Sequence, residues 1–195
     1  MRSLQIQLRL KWSGQDEDFL VEWNRDCYKD LLWWSEEAPL EKGKSLSSIP
    51  PDLAFWSDAS DEGWGAHLGR SVISGTWSPQ EKRLSINFKE LRAIHLGLRH
   101  FHLELENRVV AIHSDNTTAL AYLRNSGGTK NVLLNKEAQS LIRWAELKGI
   151  GLVPQYIQGK LNVLADSLSR KDQIIPGEWT LRQDVVDRLV RMWPG

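Results

Sequence analysis

Four acidic residues stand out because they occupy places where a structural role is hard to supply: Asp58, Glu90, Asp115 and Asp166. Carboxylate oxygens are the ligands that Mg²⁺ and Mn²⁺ prefer in proteins. Two such ions, roughly 3.5 to 4 Å apart, can activate a water and stabilise the leaving oxygen of a phosphodiester. If the four acids meet, they predict a site for phosphodiester hydrolysis with two Mg²⁺ ions, for which Mn²⁺ is a possible substitute.

The elements that carry the first three acids favour such a meeting. Asp58 ends the strand-like run LAFWSD, and Asp115 ends RVVAIHSD, a continuous apolar run typical of a buried parallel strand. Neighbouring parallel strands end at the same edge of a sheet. Glu90 lies about one residue step from the apolar stripe of a helix predicted over 87–105, so its side chain is expected to point toward the sheet.

The fourth acid, Asp166, follows Asn162 by one turn of the last predicted helix and lies opposite its apolar arc. The arc is predicted to be buried and comprises Leu161, Leu164, Ala165 and Leu168. Four converging carboxylates would raise at least one pKa strongly unless cations were bound. The alternative makes Asp58 a turn residue at the strand end, Asp115 the N-cap of the next helix and Asp166 a surface acid.

The order of elements predicts an α/β fold. Three short strands, LAFWSD, GWGAHLG and VISGTWS, precede the helix over 87–105. They are followed by the strand RVVAIHSD, helices over 116–124 and 132–148, the strand IGLVPQYI and a helix within NVLADSLSR. Right-handed crossovers place the fourth strand beside the first, so we expect a five-stranded mixed sheet of order 3-2-1-4-5 flanked by helices.

Three regions are predicted along the chain. Residues 1–50 form a Trp-rich leader or connection segment with a helix from about 16 to 34, residues 51–172 form the main domain, and 173–195 form a tail with a short helix near 183–192. The four leader tryptophans are expected to pack on a neighbouring protein surface rather than to stack on nucleobases.

Composition and residue patterns argue against several classes of protein and of metal site. Lys plus Arg and Asp plus Glu each number 25, so bulk charge does not favour a nucleic-acid partner. The single cysteine, Cys27, excludes internal disulfides and metal sites built on paired cysteines, and the histidines lack zinc-type spacing. No signal peptide and no apolar run approaching about 20 residues is present, which predicts an intracellular protein without a membrane partner. No Y-x-D-D polymerase motif occurs.

Four sequence motifs occur along the chain in this order: FWSDASDEGWGAHLG, INFKELRAI, IHSDNTTALAYL and YIQGKLNVLADSLSR. They resemble the ribonuclease H domain of retroelement reverse transcriptases, with DIRS-type elements most similar and gypsy-type elements next, over about 53–170. The resemblance implies that Asp58, Glu90, Asp115 and Asp166 are the catalytic and metal-binding residues. It also implies cleavage of the RNA strand of RNA·DNA hybrids, giving 3′-hydroxyl and 5′-phosphate ends, and a reverse transcriptase polymerase domain as partner.

The same resemblance implies residues on the substrate side. Asn116 and Thr117 fall where the family touches the hybrid backbone and 2′-hydroxyl groups, although helix capping is an equal alternative for them. Asn162 shapes the last helix beside the metals. Tyr156 stands where many relatives have a mobile histidine, and a phenol with an ordinary pKa near 10 is a poor proton shuttle at neutral pH.

A basic insertion that grips substrate in some free-standing relatives is missing, because only NSGGTK separates two predicted helices. Arg124, Lys130 and Lys136 are the predicted substitutes, with simple surface charge as the alternative. Two other functions stay open: a non-catalytic docking module of the same fold, and a transposase or integrase nuclease of related topology that cuts DNA ends. The oligomeric state is left open.

Overall fold

The computed structural model describes residues 2–12, 14–15, 18, 20–35 and 50–170. The helices and strands in these ranges are α1 Arg2–Lys11, α2 Arg25–Ser35, β1 Leu53–Ala59, β2 Gly63–Leu68, β3 Ser71–Thr76, α3 Ile86–His100, α4 His102–Leu105, β4 Val109–Ser114, α5 Thr117–Arg124, α6 Val132–Leu147, β5 Gly151–Tyr156 and α7 Val163–Ser169. Short 3₁₀ turns cover Glu81–Arg83 and Gly159–Leu161. The helix predicted near 183–192 lies outside the described residues.

The five strands form one mixed sheet in the order β3-β2-β1-β4-β5, which confirms the predicted topology. The pairs β1 with β2 and β2 with β3 are antiparallel, whereas β1 with β4 and β4 with β5 are parallel. In the β1–β4 pair Trp56 lies opposite His113. Because these strands run in the same direction, the residues that follow them along the chain leave the sheet at one edge.

One face of the sheet carries the main core beneath α3. The predicted apolar stripe is confirmed: Leu91, Ile94 and Leu98 have no exposed surface. They pack with strand residues that include Phe55 and Ile112. The helix starts where the Ser85 side chain accepts a hydrogen bond from the Phe88 amide. It stops at His100, so the single helix predicted over 87–105 is two helices, α3 and α4.

The opposite face of the sheet carries α7. Gly65 on β2 makes this contact possible, because a Cβ there would lie 2.2 Å from the Cβ of Leu168. Farther along the same face the ring of Trp56 is stacked between His67 and His113, at centroid distances of 4.6 and 4.9 Å. The absence of a side chain on Gly65 thus brings α7 close to the strands that carry the first acid.

Two further local predictions are wrong, and one helix was not predicted. The leader helix begins at Arg25 instead of near residue 16, because Asn24 Oδ1 accepts a hydrogen bond from the Cys27 amide and caps the helix there. Leu161 is 65% exposed instead of buried, since it belongs to the 3₁₀ turn before α7 and lies outside the helical arc. Helix α1 was not anticipated.

The leader helices α1 and α2 lie beside α6 and line a cavity of about 680 Å³ with it. Trp12, Trp23 and Trp34 are 45%, 58% and 49% exposed. Their expected packing on a partner surface stays a prediction. None of the described helices is long and apolar enough to span a bilayer.

Candidate metal centre

Three of the predicted acids meet at one edge of the sheet. Asp58 lies on β1, Glu90 on α3 and Asp115 directly after β4, and one carboxylate oxygen from each lies within 4.8 Å of the others. Asp58 and Glu90 are 7% and 4% exposed. Asp58 is inside a strand and the cap of α5 is Asn116, so neither Asp58 nor Asp115 has the structural role that the alternative gave it.

Burial and mutual repulsion shift the pKa values of two of these acids upward. Burial, together with the charges of Asp58 and Asp115, raises the pKa of Glu90 to about 9. Burial also raises the pKa of Asp58 to about 6, opposed by a hydrogen bond from Ser169 and assisted by the neighbouring acids. The Oε2 atom of Glu90 is buried without a hydrogen-bond partner in the described part of the chain. Such a group of oxygens favours a cation at its centre.

The fourth acid opens into the same cleft but is turned toward a cation of its own chain. Asp166 and Arg170 line the cleft, of about 410 Å³, with the other three acids. Asp166 Oδ1 accepts hydrogen bonds from Arg170 Nε at 3.0 Å and Nη2 at 2.6 Å. The structure therefore brings all four acids into one cleft, with three of them at chelating distance.

Several residues beside the acids were not identified from the sequence. Ser169 Oγ donates a hydrogen bond of 2.7 Å to Asp58 Oδ2. Gly159 lies so close to the third acid that a Cβ would sit 2.5 Å from Asp115 Oδ2. A glycine next to a predicted strand was the available signal for a close approach, but it did not show which residue approaches. Nothing in the sequence around Ser169 indicates that its partner is Asp58.

Asn162, which was expected on the substrate side, is a buried residue. It is 2% exposed, and its Nδ2 donates a hydrogen bond of 3.0 Å to the backbone oxygen of Ser57. Since Ser57 directly precedes Asp58 on β1, Asn162 ties the start of α7 to the strand that carries the first acid. The substrate-side role of Asn162 stays a prediction, as does the prediction that it shapes the last helix.

The capping alternative holds for Asn116. Its Oδ1 accepts a hydrogen bond from the Ala119 amide, and its Nδ2 donates one of 2.9 Å to Asn87 Oδ1. Thr117, the first residue of α5, has an exposed side chain and is therefore the better placed of the two for contact with a substrate.

The other predicted substrate residues are at the surface. Tyr156 ends β5 and is 58% exposed. Arg124 and Lys130 are exposed, and Arg124 Nη2 lies 3.4 Å from the backbone oxygen of Pro154. Lys136 lines the cavity next to α1 and α2 and is not among the residues of the acidic cleft. No contact in the structure tests their part in substrate binding.

A family model described as the RNase H-like domain found in reverse transcriptase matches residues 52–147. A putative enzymatic polyprotein of Cassava vein mosaic virus is 30% identical over 186 residues, which cover 86% of this chain and 27% of the polyprotein. The chain thus spans about a quarter of the length of that relative.

Two solved structures share the fold. A crystal structure of RNase H1 from the halophilic archaeon Halobacterium salinarum NRC-1 has a TM-score of 0.50 and 16% identity, covering 60% of this chain and 92% of that one. A crystal structure of LC11-RNase H1 in complex with an RNA/DNA hybrid has a TM-score of 0.52 and 14% identity, covering 60% and 93%. At these identities the similarity shows the arrangement of helices and strands alone.

Proposed function

The chain belongs to the RNase H-like domain family found in reverse transcriptases, and from this premise we propose that it is a metal-dependent endonuclease cutting the RNA strand of RNA·DNA hybrids. The observation that carries the proposal is the approach of Asp58, Glu90 and Asp115 oxygens to within 4.8 Å of one another. The greater similarity to DIRS-type than to gypsy-type elements stays a prediction.

The acids fit hard divalent cations. All the ligand atoms are carboxylate oxygens, as Mg²⁺ and Mn²⁺ prefer. The buried Oε2 of Glu90 has no partner in the described residues, and a cation would provide one. Asp58, Glu90 and Asp115 would hold the metal, and Asp166, whose Oδ2 is not used by its ion pair with Arg170, would assist them. When bound, the ions supply activation of water and neutralisation of developing phosphate charge.

The protein's own residues shape and support the cleft in this proposal. Asn162 fixes the strand that carries Asp58, and the absence of a side chain on Gly159 lets the loop after β5 close on Asp115. A glutamate that is neutral when metal-free becomes ionised on metal binding, so Glu90 releases a proton in the pH range below about 9.

The proposed substrate contacts are exposed side chains outside the lining of the cleft. Thr117, one residue beyond the Asp115–Asn116 pair, offers an exposed hydroxyl to a 2′-hydroxyl or phosphate. Arg124 and Lys130 offer exposed positive charge to the hybrid backbone. Tyr156 is exposed at the end of β5 and can stack or donate a hydrogen bond.

The proposed protein partner is a reverse transcriptase polymerase domain. Its support is the polyprotein relative, of which the chain spans 27%. The intracellular location stays a prediction from the sequence.

The direct test is cleavage of an end-labelled RNA·DNA hybrid by the purified chain in Mg²⁺. We expect the RNA strand to be cut to products with 3′-hydroxyl and 5′-phosphate ends, and single-stranded RNA and duplex DNA to be spared. Asp115→Asn is the matched control, because it keeps the shape of the side chain but removes its charge. It is expected to lose about 100-fold or more of the rate.

Each contrary result identifies another function. Cleavage no faster than Asp115→Asn, with a folded wild-type chain, rejects the nuclease. Hybrid binding that EDTA does not change, without hydrolysis, supports the non-catalytic module. Preferential cutting of duplex DNA supports a transposase-type or integrase-type nuclease.

A further inference from the structure

We propose that Ser169 is a positioning residue for the metal centre, an inference that rests on the nuclease function proposed above. Its hydroxyl fixes the carboxylate of Asp58 in the orientation that binds an ion together with Glu90 and Asp115. Ser169 itself touches neither metal nor substrate. It acts through the acid that it holds.

The contact is short and buried. Ser169 Oγ lies 2.7 Å from Asp58 Oδ2, and the two residues are 1% and 7% exposed. In the described part of the chain, Ser169 is the one side chain that donates a hydrogen bond to Asp58. The bond joins residues 111 positions apart, so it links the end of α7 directly to β1.

The serine proton has two acceptors within reach. Ser169 Oγ is also 2.9 Å from the backbone oxygen of Asp166. A hydroxyl has a single proton, and a hydrogen bond to an ionised carboxylate is about twice as strong as one to a neutral carbonyl. When Asp58 is ionised, as metal binding requires, the proton therefore points to Asp58.

The backbone of Ser169 is itself fixed, so the hydroxyl is presented from a rigid position. Ser60 Oγ donates a hydrogen bond of 2.6 Å to the Ser169 backbone oxygen. Gly63 lies against the same oxygen, at 3.1 Å from where a Cβ would be. The residue that holds Asp58 is thus anchored to the turn that follows β1.

Orientation matters because a carboxylate presents two oxygens and rotates about its terminal bond. The hydrogen bond from Ser169 to Oδ2 limits this rotation and leaves Oδ1 of Asp58 available. Loss of an outer partner of a metal ligand typically costs 10–100-fold in metal affinity. A purely structural hydrogen bond would lower stability and leave the affinity unchanged.

The test compares Ser169→Ala with Ser167→Ala in the full chain. Ser167 lies on the same helix, is partly buried, and donates its hydroxyl to the backbone oxygen of Leu164 at 2.8 Å; within the described residues its hydroxyl donates to no acid. Each variant loses one hydroxyl. Free Mn²⁺ is titrated by electron paramagnetic resonance without nucleic acid, and thermal unfolding shows that both variants fold.

Ser169→Ala is expected to bind Mn²⁺ about tenfold more weakly than the wild type, whereas Ser167→Ala should bind it as the wild type does. Ser169→Cys keeps the size of the side chain but donates weakly, so its affinity should fall between those of wild type and Ser169→Ala. In an Asp58→Asn background, Ser169→Ala should have no further effect on Mn²⁺ affinity. In hybrid cleavage, the Mn²⁺ concentration for half-maximal rate should rise while the rate at saturating Mn²⁺ stays close to that of the wild type.

Equal or tighter Mn²⁺ binding by Ser169→Ala overturns the inference, also if its thermal stability falls. A full effect of Ser169→Ala in the Asp58→Asn background overturns it as well. The two proposals fail separately. Wild-type protein that binds Mn²⁺ in the expected order of variants but cuts no hybrid refutes the nuclease and supports the role of Ser169. Cleavage by the wild type with equal affinities in both serine variants does the reverse.

Discussion

Glu90 and Glu137 are both largely buried glutamates on packed helices, but their neighbours are opposite in charge. Glu137 on α6 lies 2.6 Å from His95 Nδ1 and 3.1 Å from Arg92 Nη1. Burial raises the pKa of Glu137, but the hydrogen bonds and charges of His95 and Arg92 outweigh burial and lower it. Glu90 has other carboxylates as neighbours, so burial and charge act together and its pKa rises to about 9.

The fold provides partners for the ionised carboxylate of Glu137, but within the described residues it provides no cationic partner for the ionised form of Glu90. Glu137 finds its partners, Arg92 and His95, on α3. Glu90 is held at the edge of the sheet with its Oε2 unpaired in the described residues. A buried carboxylate without a cation costs stability, so an arrangement of this kind is typical of a site rather than of a core.

The largest expected effect is a difference in cleavage rate between variants of Glu90 and Glu137. Glu90→Gln removes a proposed metal ligand and should lower the rate of hybrid cleavage about 100-fold or more. Glu137→Gln makes the same chemical change outside the lining of the cleft and should leave the rate close to that of the wild type. Initial rates at saturating Mg²⁺ test this pair. Equal losses in both variants would show that the contrast in neighbours has no functional meaning.

The next effect concerns stability. Glu137→Leu removes the acceptor of His95 Nδ1, and His95 Nε2 is already without a partner in the described residues. We expect a loss of about 3 kcal/mol in the free energy of unfolding, as for a broken buried ion pair. Urea denaturation in EDTA measures it. Glu146→Leu, at an exposed position of the same helix, is the control and should change stability by less than about 0.5 kcal/mol.

A similar but opposite effect is expected from metal. A ligand at about 100 times its Kd stabilises the folded state by about 2.7 kcal/mol. Mg²⁺ should therefore raise the melting temperature of the wild type and of Glu137→Gln alike, and raise that of Glu90→Gln much less. Calorimetry with and without Mg²⁺ provides the measurement. Undiminished stabilisation of Glu90→Gln would place the ion elsewhere.

The last expected effect is the pH dependence of the metal-free protein. The pKa of Glu90 is raised from 4.5 to about 9 on folding, so folding favours the neutral form. Its contribution to stability is complete below pH 4.5 and is lost as the pH rises toward 9. Glu90→Gln should thus exceed the wild type in metal-free stability near pH 8 and approach it near pH 5, with a difference that grows steadily with pH between them. Urea unfolding in EDTA across this range gives the difference curve, and a flat curve would contradict the pKa.

The sheet was predictable because its strands and helices leave short-range patterns in the sequence, and the convergence of the acids followed from their positions on these elements. The apolar run before Asp115 identifies a buried strand, and the stripe through Leu91 and Leu98 identifies the buried face of α3. Right-handed connections then fix the strand order. The sequence words around Asp58 and Asp166 supplied the rest, by resemblance to a family.

The supports of the site were not predictable because they are contacts between distant parts of the chain. The Ser169 hydroxyl meets Asp58 only after α7 has packed on β2, and nothing near residue 169 in the sequence indicates that partner. Asn116 shows a related limit: capping and substrate contact use the same amide, and only coordinates show that the cap and Asn87 occupy it. The predicted burial of Leu161 was wrong because a 3₁₀ turn, which ends at Leu161, interrupts the helical period before α7.

The position of α7 in the chain has a consequence for the order in which the cleft is completed during synthesis. All five strands have been made once the ribosome has passed Tyr156, whereas Asp166 and Ser169 follow only later. Domains fold from the N-terminal side as they emerge. The nascent sheet can therefore pair while its first acid still lacks its serine partner, and the acidic edge of the sheet is among the last parts of this domain to form.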